Sequence, residues 1–237
     1  MKYLMSGIDH QTDRGFGINA EAFKKSADFL IESEEFTSDF IPQKHMPIFF
    51  LYRHSIELFF KSLIVIFHSE LALPYPNNKP QILTEEGKWR DLDNCHWIDS
   101  LYWYWSKILT DKKDKLDEEA PKGSWMIHPD LEENIKLIAS YDKDSTFFRY
   151  PFTKRNPILD SEKYSVKKVN NLKDINNSVR QGKGSFTLIL TDEDENISSI
   201  YSLDENVMSS ELVTFKETSD ILSNYHIMTR MTLCQGF

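Results

Sequence analysis

Apolar residues repeat at helical spacing through most of this chain, and strand-like runs are confined to its last third. Ala22, Phe23, Ala27, Leu30 and Ile31 share one stripe and predict a helix from Asn19, read as its N-cap, to about Glu35. A second helix, opened by Pro47 in its first turn and running to about Leu71, is apolar almost all round. The Leu73–Pro80 stretch, with three prolines, ends it and begins a long loop. A third helix spans about His96 to Thr110, where Trp97, Leu101, Tyr104, Trp105 and Ile108 form a core stripe. The charged run Asp111–Gly123 reads as a solvated break, and a fourth helix covers about Pro129–Tyr141.

Beyond Asp142 the pattern changes. The segment DSTFFRYPFTKRNP is aromatic, basic and broken by proline, so it reads as a structured loop, and Asn171–Gln181 as a short helix. Ser185–Thr191 and Ile197–Leu203 flank an acidic turn and read as a β-hairpin, although the apolar run of the first arm also suits a helix. Glu211–Leu233 reads as a closing helix. The expected fold class is mainly α, one domain over residues 1–237, with a helical core at about 19–155. A basic loop, the small hairpin and the closing helix follow in 156–237.

Five ionisable residues interrupt the second helix. His54, Glu57, Lys61 and His68 stand at i, i+3, i+7 and i+14, on one face, with Arg53 at its edge. Buried charges must be paired or hydrated. The seam is therefore either an internal ion-pair network that fixes helix register or the lining of a cleft. In the cleft reading Arg53 and Lys61 hold phosphate, His54 moves a proton and Glu57 orients it. The 22-residue tract around the seam, Met46–Phe67, is long enough to span a bilayer, but its charges exclude that, so no membrane association is expected.

Composition adds three points. Two cysteines, Cys95 and Cys234, form no framework and no metal-ligand spacing. The opening MKYLMSGIDHQTDRG lacks the apolar core of a signal peptide, so the expectation is a cytoplasmic protein. The net charge is −9, yet Arg149–Lys183 holds nine basic against three acidic residues, a balance of +6 that leaves −15 elsewhere. That segment, with Lys154, Arg155, Lys167 and Lys168, is either an RNA-binding stripe or a solvated connector. No Gly-rich phosphate loop, metal cluster or nucleophile elbow is present, and neither a cofactor nor a metal is expected.

The runs LYRHSIELFFKSLI, CHWIDSLYWYW and DSTFFRYP, over roughly residues 40–155, resemble those of prokaryotic HEPN-like helical proteins. The resemblance implies a helical bundle, commonly dimeric, of the kind found in toxin–antitoxin and antiphage systems, where many members are metal-independent ribonucleases; the function expected of this chain is accordingly a metal-independent endoribonuclease acting in antiphage defence or as a toxin. A homodimer, an RNA substrate and a defence-system or antitoxin protein partner are the implied associations. The family motif is an Arg followed four to six residues later by a His. Arg90 and His96 have that spacing, with five residues between, but they precede the third helix rather than open a late one. The closing helix carries His226 and Arg230 in the reverse order. An inactive scaffold, sensor or partner-binding subunit of the same fold is the alternative function. His96 reads equally as a first-turn helix residue, and Arg149 either packs among aromatics, paired with Glu57, or closes the cleft from the opposite side. His45, His68, His128 and His226 are assigned no role.

Overall fold

The structure, a computed structural model, describes residues 7, 11–38, 43–120, 123–151, 160, 163–164, 166–169, 185–192, 194, 196–204 and 208–235. Its elements run α1 (Phe16–Glu32), α2 (Glu34–Ser38), α3 (His45–Glu70), β1 (Gln81–Leu83), β2 (Trp89–Asp91), α4 (Ile98–Asp111), α5 (Lys113–Glu119), α6 (Leu131–Asp142), β3 (Val166–Val169), β4 (Ser185–Thr191), β5 (Ile197–Asp204) and α7 (Ser209–Leu233). The fold is mainly helical, in line with the apolar repeats.

Helix α3 is central because its sequence leaves it no polar side to expose. Every residue from Ser55 to His68 is buried, and α1, α4 and α7 pack around it. Helix α6 lies against α4 and α7 and completes the bundle. Aromatic rings fill the spaces. Phe148, just past α6, stacks on Phe49 of α3 at 4.6 Å, and Phe215 of α7 meets both edge-on at 4.9 and 5.4 Å. On the other flank Trp105 bridges Phe60 and Tyr225 at 5.6 and 5.2 Å. Such pairs contribute about 0.5–1.5 kcal/mol each beyond the area they bury. Among the described residues, no helix is long and apolar enough to cross a membrane.

The structure departs from the sequence reading at several places, each with a local cause. Helix α1 begins at Phe16 rather than Asn19, because the Asp13 carboxylate accepts from the amides of Gly15 and Gly17 at 3.2 and 2.7 Å and caps the helix from outside it. The expected solvated break holds α5, whose Leu116 is fully buried and whose carbonyl accepts from Trp125 Nε1 at 2.7 Å. The long loop after α3 contains the β1–β2 hairpin, turned at Gly87, which adopts φ +76°. The β4–β5 hairpin forms as strands, and β3 pairs with the other side of β5, giving the order β3-β5-β4, all antiparallel. The expected helix over Asn171–Gln181 lies outside the described residues.

Candidate functional site

Two buried ionic clusters flank the centre of α3, and only the first falls on residues given a candidate role from the sequence. In it Glu57 sits at the hub. Its Oε2 accepts from Arg53 Nη1 at 3.1 Å, and its Oε1 accepts from Lys61 Nζ and from His96 Nδ1, both at 2.9 Å. Arg53, Glu57 and Lys61 follow each other at i, i+4 and i+8, so three successive turns of α3 supply the stripe. Arg53 is fully buried and is satisfied on every side. Its Nε donates to the Asp142 carbonyl at 3.2 Å, its Nη2 donates to the His96 carbonyl at 2.5 Å, and Asp142 Oδ2 stands 3.9 Å from Nε. Lys61 also reaches the Asp93 carbonyl at 3.4 Å.

The electrostatics follow from this crowding. Burial alone would raise the Glu57 carboxyl, but Arg53 and Lys61, with His96 beyond them, hold it down to about 2. Asp142, which the distant Arg53 and the Phe147 and Thr146 amides hold down only in part, is raised instead by burial. With Glu57 ionised and accepting, His96 donates to it through Nδ1–H. The His96 side chain is 47 % exposed, and among the described residues Nε2 has no hydrogen-bond partner. This arrangement, a carboxylate behind Nδ1 of a half-exposed ring, is the one a histidine needs to move a proton.

The remaining sequence candidates lie elsewhere. His54 turns from the Glu57 stripe toward α1, edge-on to Phe23 at 4.5 Å and stacked on Phe50 at 5.8 Å. Among the described residues its buried Nδ1 has no hydrogen-bond partner, and burial, with Arg53, Lys61 and Arg149 nearby, lowers its pKa below the usual histidine value. The sequence reading placed Arg53 at the edge and His54 on the seam; in the structure these are exchanged, and Glu57 orients His96 instead of His54. His68 donates from Nδ1 to the Leu73 carbonyl at 3.0 Å and accepts the Tyr104 hydroxyl at 2.8 Å. Arg149, read either as packed among aromatics and paired with Glu57 or as closing the cleft, is exposed; it donates to Ser145 Oγ at 3.3 Å and lies 5.6 Å over the Phe50 ring.

Arg90 of β2 stacks 4.7 Å over the Trp97 ring. With Glu85, Glu86, Trp97, Asp99 and Lys143 it borders a cavity of about 290 Å³, where Lys143 and Asp99 pair at 3.1 Å. Three carboxylates against two cations give that cavity no excess positive charge for a phosphate. Lys167 and Lys168 fall in β3, with Lys168 exposed, and Lys154 and Arg155 lie outside the described residues. Among the described residues no group of His, Cys, Asp and Glu is placed to hold a metal ion.

The second cluster was not anticipated. Asp13, ahead of α1, takes Ser62 Oγ of α3 at 2.5 Å on Oδ2, and its Oδ1 pairs with Arg230 Nη2 of α7. His226 Nε2 stands 3.7 Å from Asp13 and accepts from Arg230 Nε at 2.9 Å. All four residues are essentially without exposure. Burial would raise the Asp13 carboxyl, but His226, Arg230 and Ser62 hold it well below the usual carboxylate range. The i, i+4 spacing of His226 and Arg230 is visible in the sequence; nothing there marks Asp13 as their partner.

Two outcomes follow. His54→Phe keeps the ring between Phe23 and Phe50 and removes the unbonded Nδ1, whose desolvation costs about 1–3 kcal/mol. Its melting temperature should match or exceed that of the parent by a few degrees, about 2–4 °C per kcal/mol for a chain of this size; a lowered value would mean that His54 is held by a polar contact. The second is acid sensitivity. His45, His54 and His68 all have pKa values lowered from 6.5, so the unfolded chain takes up their protons first and stability falls as pH drops below 6.5. Glu57 adds a second loss between its ordinary 4.5 and about 2, and Asp13 acts in the same sense below 3.8, with Asp142 opposing. Urea midpoints at pH 7.5, 5.5 and 3.5 should decrease in that order, and a midpoint that rises on acidification would contradict the assignment.

Comparison of the chain with protein-family models, with curated proteins and with solved structures returns no match.

Proposed function

We propose that the chain is a HEPN-like helical protein that serves as a scaffolding or partner-binding subunit of an antiphage defence or toxin–antitoxin system. The family part of this reading rests on the resemblance of the α3, α4 and FFRYP segments. The non-catalytic part rests on one observation: Arg53 and Lys61, the cations best placed to hold a phosphate on the seam, are buried and already bonded to Glu57 and to main-chain carbonyls. A phosphate could reach them only by displacing Glu57, and taking one partner from such a buried pair costs about 3–5 kcal/mol. The seam is therefore read as the lock that fixes α3 against the α4 entry and the end of α6.

A second reading, a metal-independent endoribonuclease, is favoured by His96 alone. Its half-exposed ring is oriented by Glu57, and Arg90 precedes it in the motif spacing, with five residues between. In that reading His96 Nε2 takes a proton from the attacking ribose hydroxyl or gives one to the leaving oxygen. The two readings separate in one assay. Single-stranded RNA is incubated with the parent and with His96→Ala in the presence of a chelator, and both proteins are melted in parallel. The scaffold reading expects no cleavage by the parent beyond that of His96→Ala. Cleavage by the parent that falls about 10²–10⁴-fold in a His96→Ala variant of unchanged melting temperature would overturn it and establish the nuclease.

A further inference from the structure

The three-stranded sheet has two unlike edges. Its β3 edge carries Lys167 and Lys168 in a four-residue strand, the short, charged design that discourages further pairing. Its β4 edge runs seven residues, Ser-Phe-Thr-Leu-Ile-Leu-Thr, without a charge, and among the described residues it pairs with β5 on one side only. The outer half of β4 is also exposed on both faces. Leu188 is 56 %, Ile189 44 % and Leu190 43 % exposed, and Val166 and Ile197 on the neighbouring strands are 38 % and 50 % exposed. An uncharged, apolar, unpaired edge of this length is a template for one more strand.

The sequence of β4 says which strand fits. In kind, the heptapeptide reads the same from both ends about Leu188: hydroxyl residues at 185 and 191, large apolar residues at 186 and 190, β-branched residues at 187 and 189. An antiparallel pair of two copies centred on Leu188 thus sets hydroxyl opposite hydroxyl, apolar opposite apolar and β-branched opposite β-branched, with Leu188 facing itself. These are favourable cross-strand matches, and no like charges oppose each other. For a chain of net charge −9, an uncharged strand edge is a contact that two copies can share without opposing like charges. We propose that β4 is the interface through which a second copy of this chain pairs, antiparallel about a two-fold axis at Leu188, joining two three-stranded sheets into one of six strands. This surface is separate from the seam and independent of how the seam is read.

The test is a cysteine pair. At the axis, opposed Cα atoms stand about 4.5–5.5 Å apart, within disulfide reach. A residue three positions off the axis is separated from its copy by six residues, about 20 Å at 3.4 Å per residue. Leu188→Cys should therefore give a disulfide-linked dimer on mild oxidation at micromolar concentration, at least about tenfold faster than Thr191→Cys. The native Cys95 and Cys234 are both buried and supply an unlinked background. In parallel, light scattering should give the parent twice the chain mass, and Leu188→Lys, which opposes two ammonium groups at the axis, should weaken association at least about tenfold. Position 188 is exposed, so Leu188→Lys should keep the parent's helical signal; should it fail to fold, the cysteine pair still decides. A monomeric parent, equal cross-linking at 188 and 191, or a dimer untouched by Leu188→Lys would each overturn the proposal.

Discussion

Replacing Glu57 by Gln should destabilise the protein by about 3–5 kcal/mol, a fall in melting temperature on the order of 10 °C for a chain of this length. The side chain keeps its shape, so no cavity forms. What changes is the charge at the hub of the seam: Arg53, Lys61 and His96 all lose the carboxylate that they share, and two cations remain buried without the anion that stood between them. The new amide can accept from one of them, but its own N–H groups then face the other. Thermal unfolding followed by the helical circular dichroism signal measures the effect. A loss below about 1 kcal/mol, the range of exposed ion pairs, would mean that water reaches the seam.

Gly17→Ala should be nearly as damaging, and its sign is the informative part. Within a helix, alanine is ordinarily better than glycine by about 1 kcal/mol. At Gly17 an added Cβ would run into the His226 imidazole and stand 2.7 Å from Asp13 Oδ2. Both neighbours are fully buried and bonded, to Arg230 and Ser62 among others, so neither can retreat without breaking the second cluster. Overpacking costs about 1–3 kcal/mol, and disturbing the Asp13–Arg230 pair adds to it. A net loss of about 3 kcal/mol is expected, partly recovered when His226→Ala is added to make room. An unchanged or raised melting temperature for Gly17→Ala would show that α1 and α7 have slack between them.

These two positions also show what could be read from the sequence. Helices α3, α4, α6 and α7 were legible because each carries an apolar face several turns long, which periodicity reports directly. The start of α1 was not, since its cap is Asp13, a residue outside the helix whose geometry depends on α3 and α7. Strands β1 and β2, three residues each, carry too little pattern to stand out from a loop. The charged run that forms α5 hid its helix because a single buried Leu116 carries the packing. At the site, spacing on α3 identified the polar face but not its partners. Periodicity cannot say that His54 swings toward Phe23 and Phe50, or that His96, 39 residues away, closes on Glu57. Those are tertiary choices, made by α1 and by the turn before α4.

The central claim is that the α3 seam holds the bundle together as a coupled ionic unit, and a double-mutant cycle on Arg53 and Glu57 tests it most directly. Stability is measured by urea unfolding for the parent, Arg53→Met, Glu57→Leu and the double variant. Each single change strands a buried charge that the double change removes along with its partner. The double variant should therefore lose less than the sum of the two single losses, by about 2 kcal/mol or more. Losses that simply add would contradict the claim and leave Arg53 and Glu57 as independent groups, free to serve a ligand.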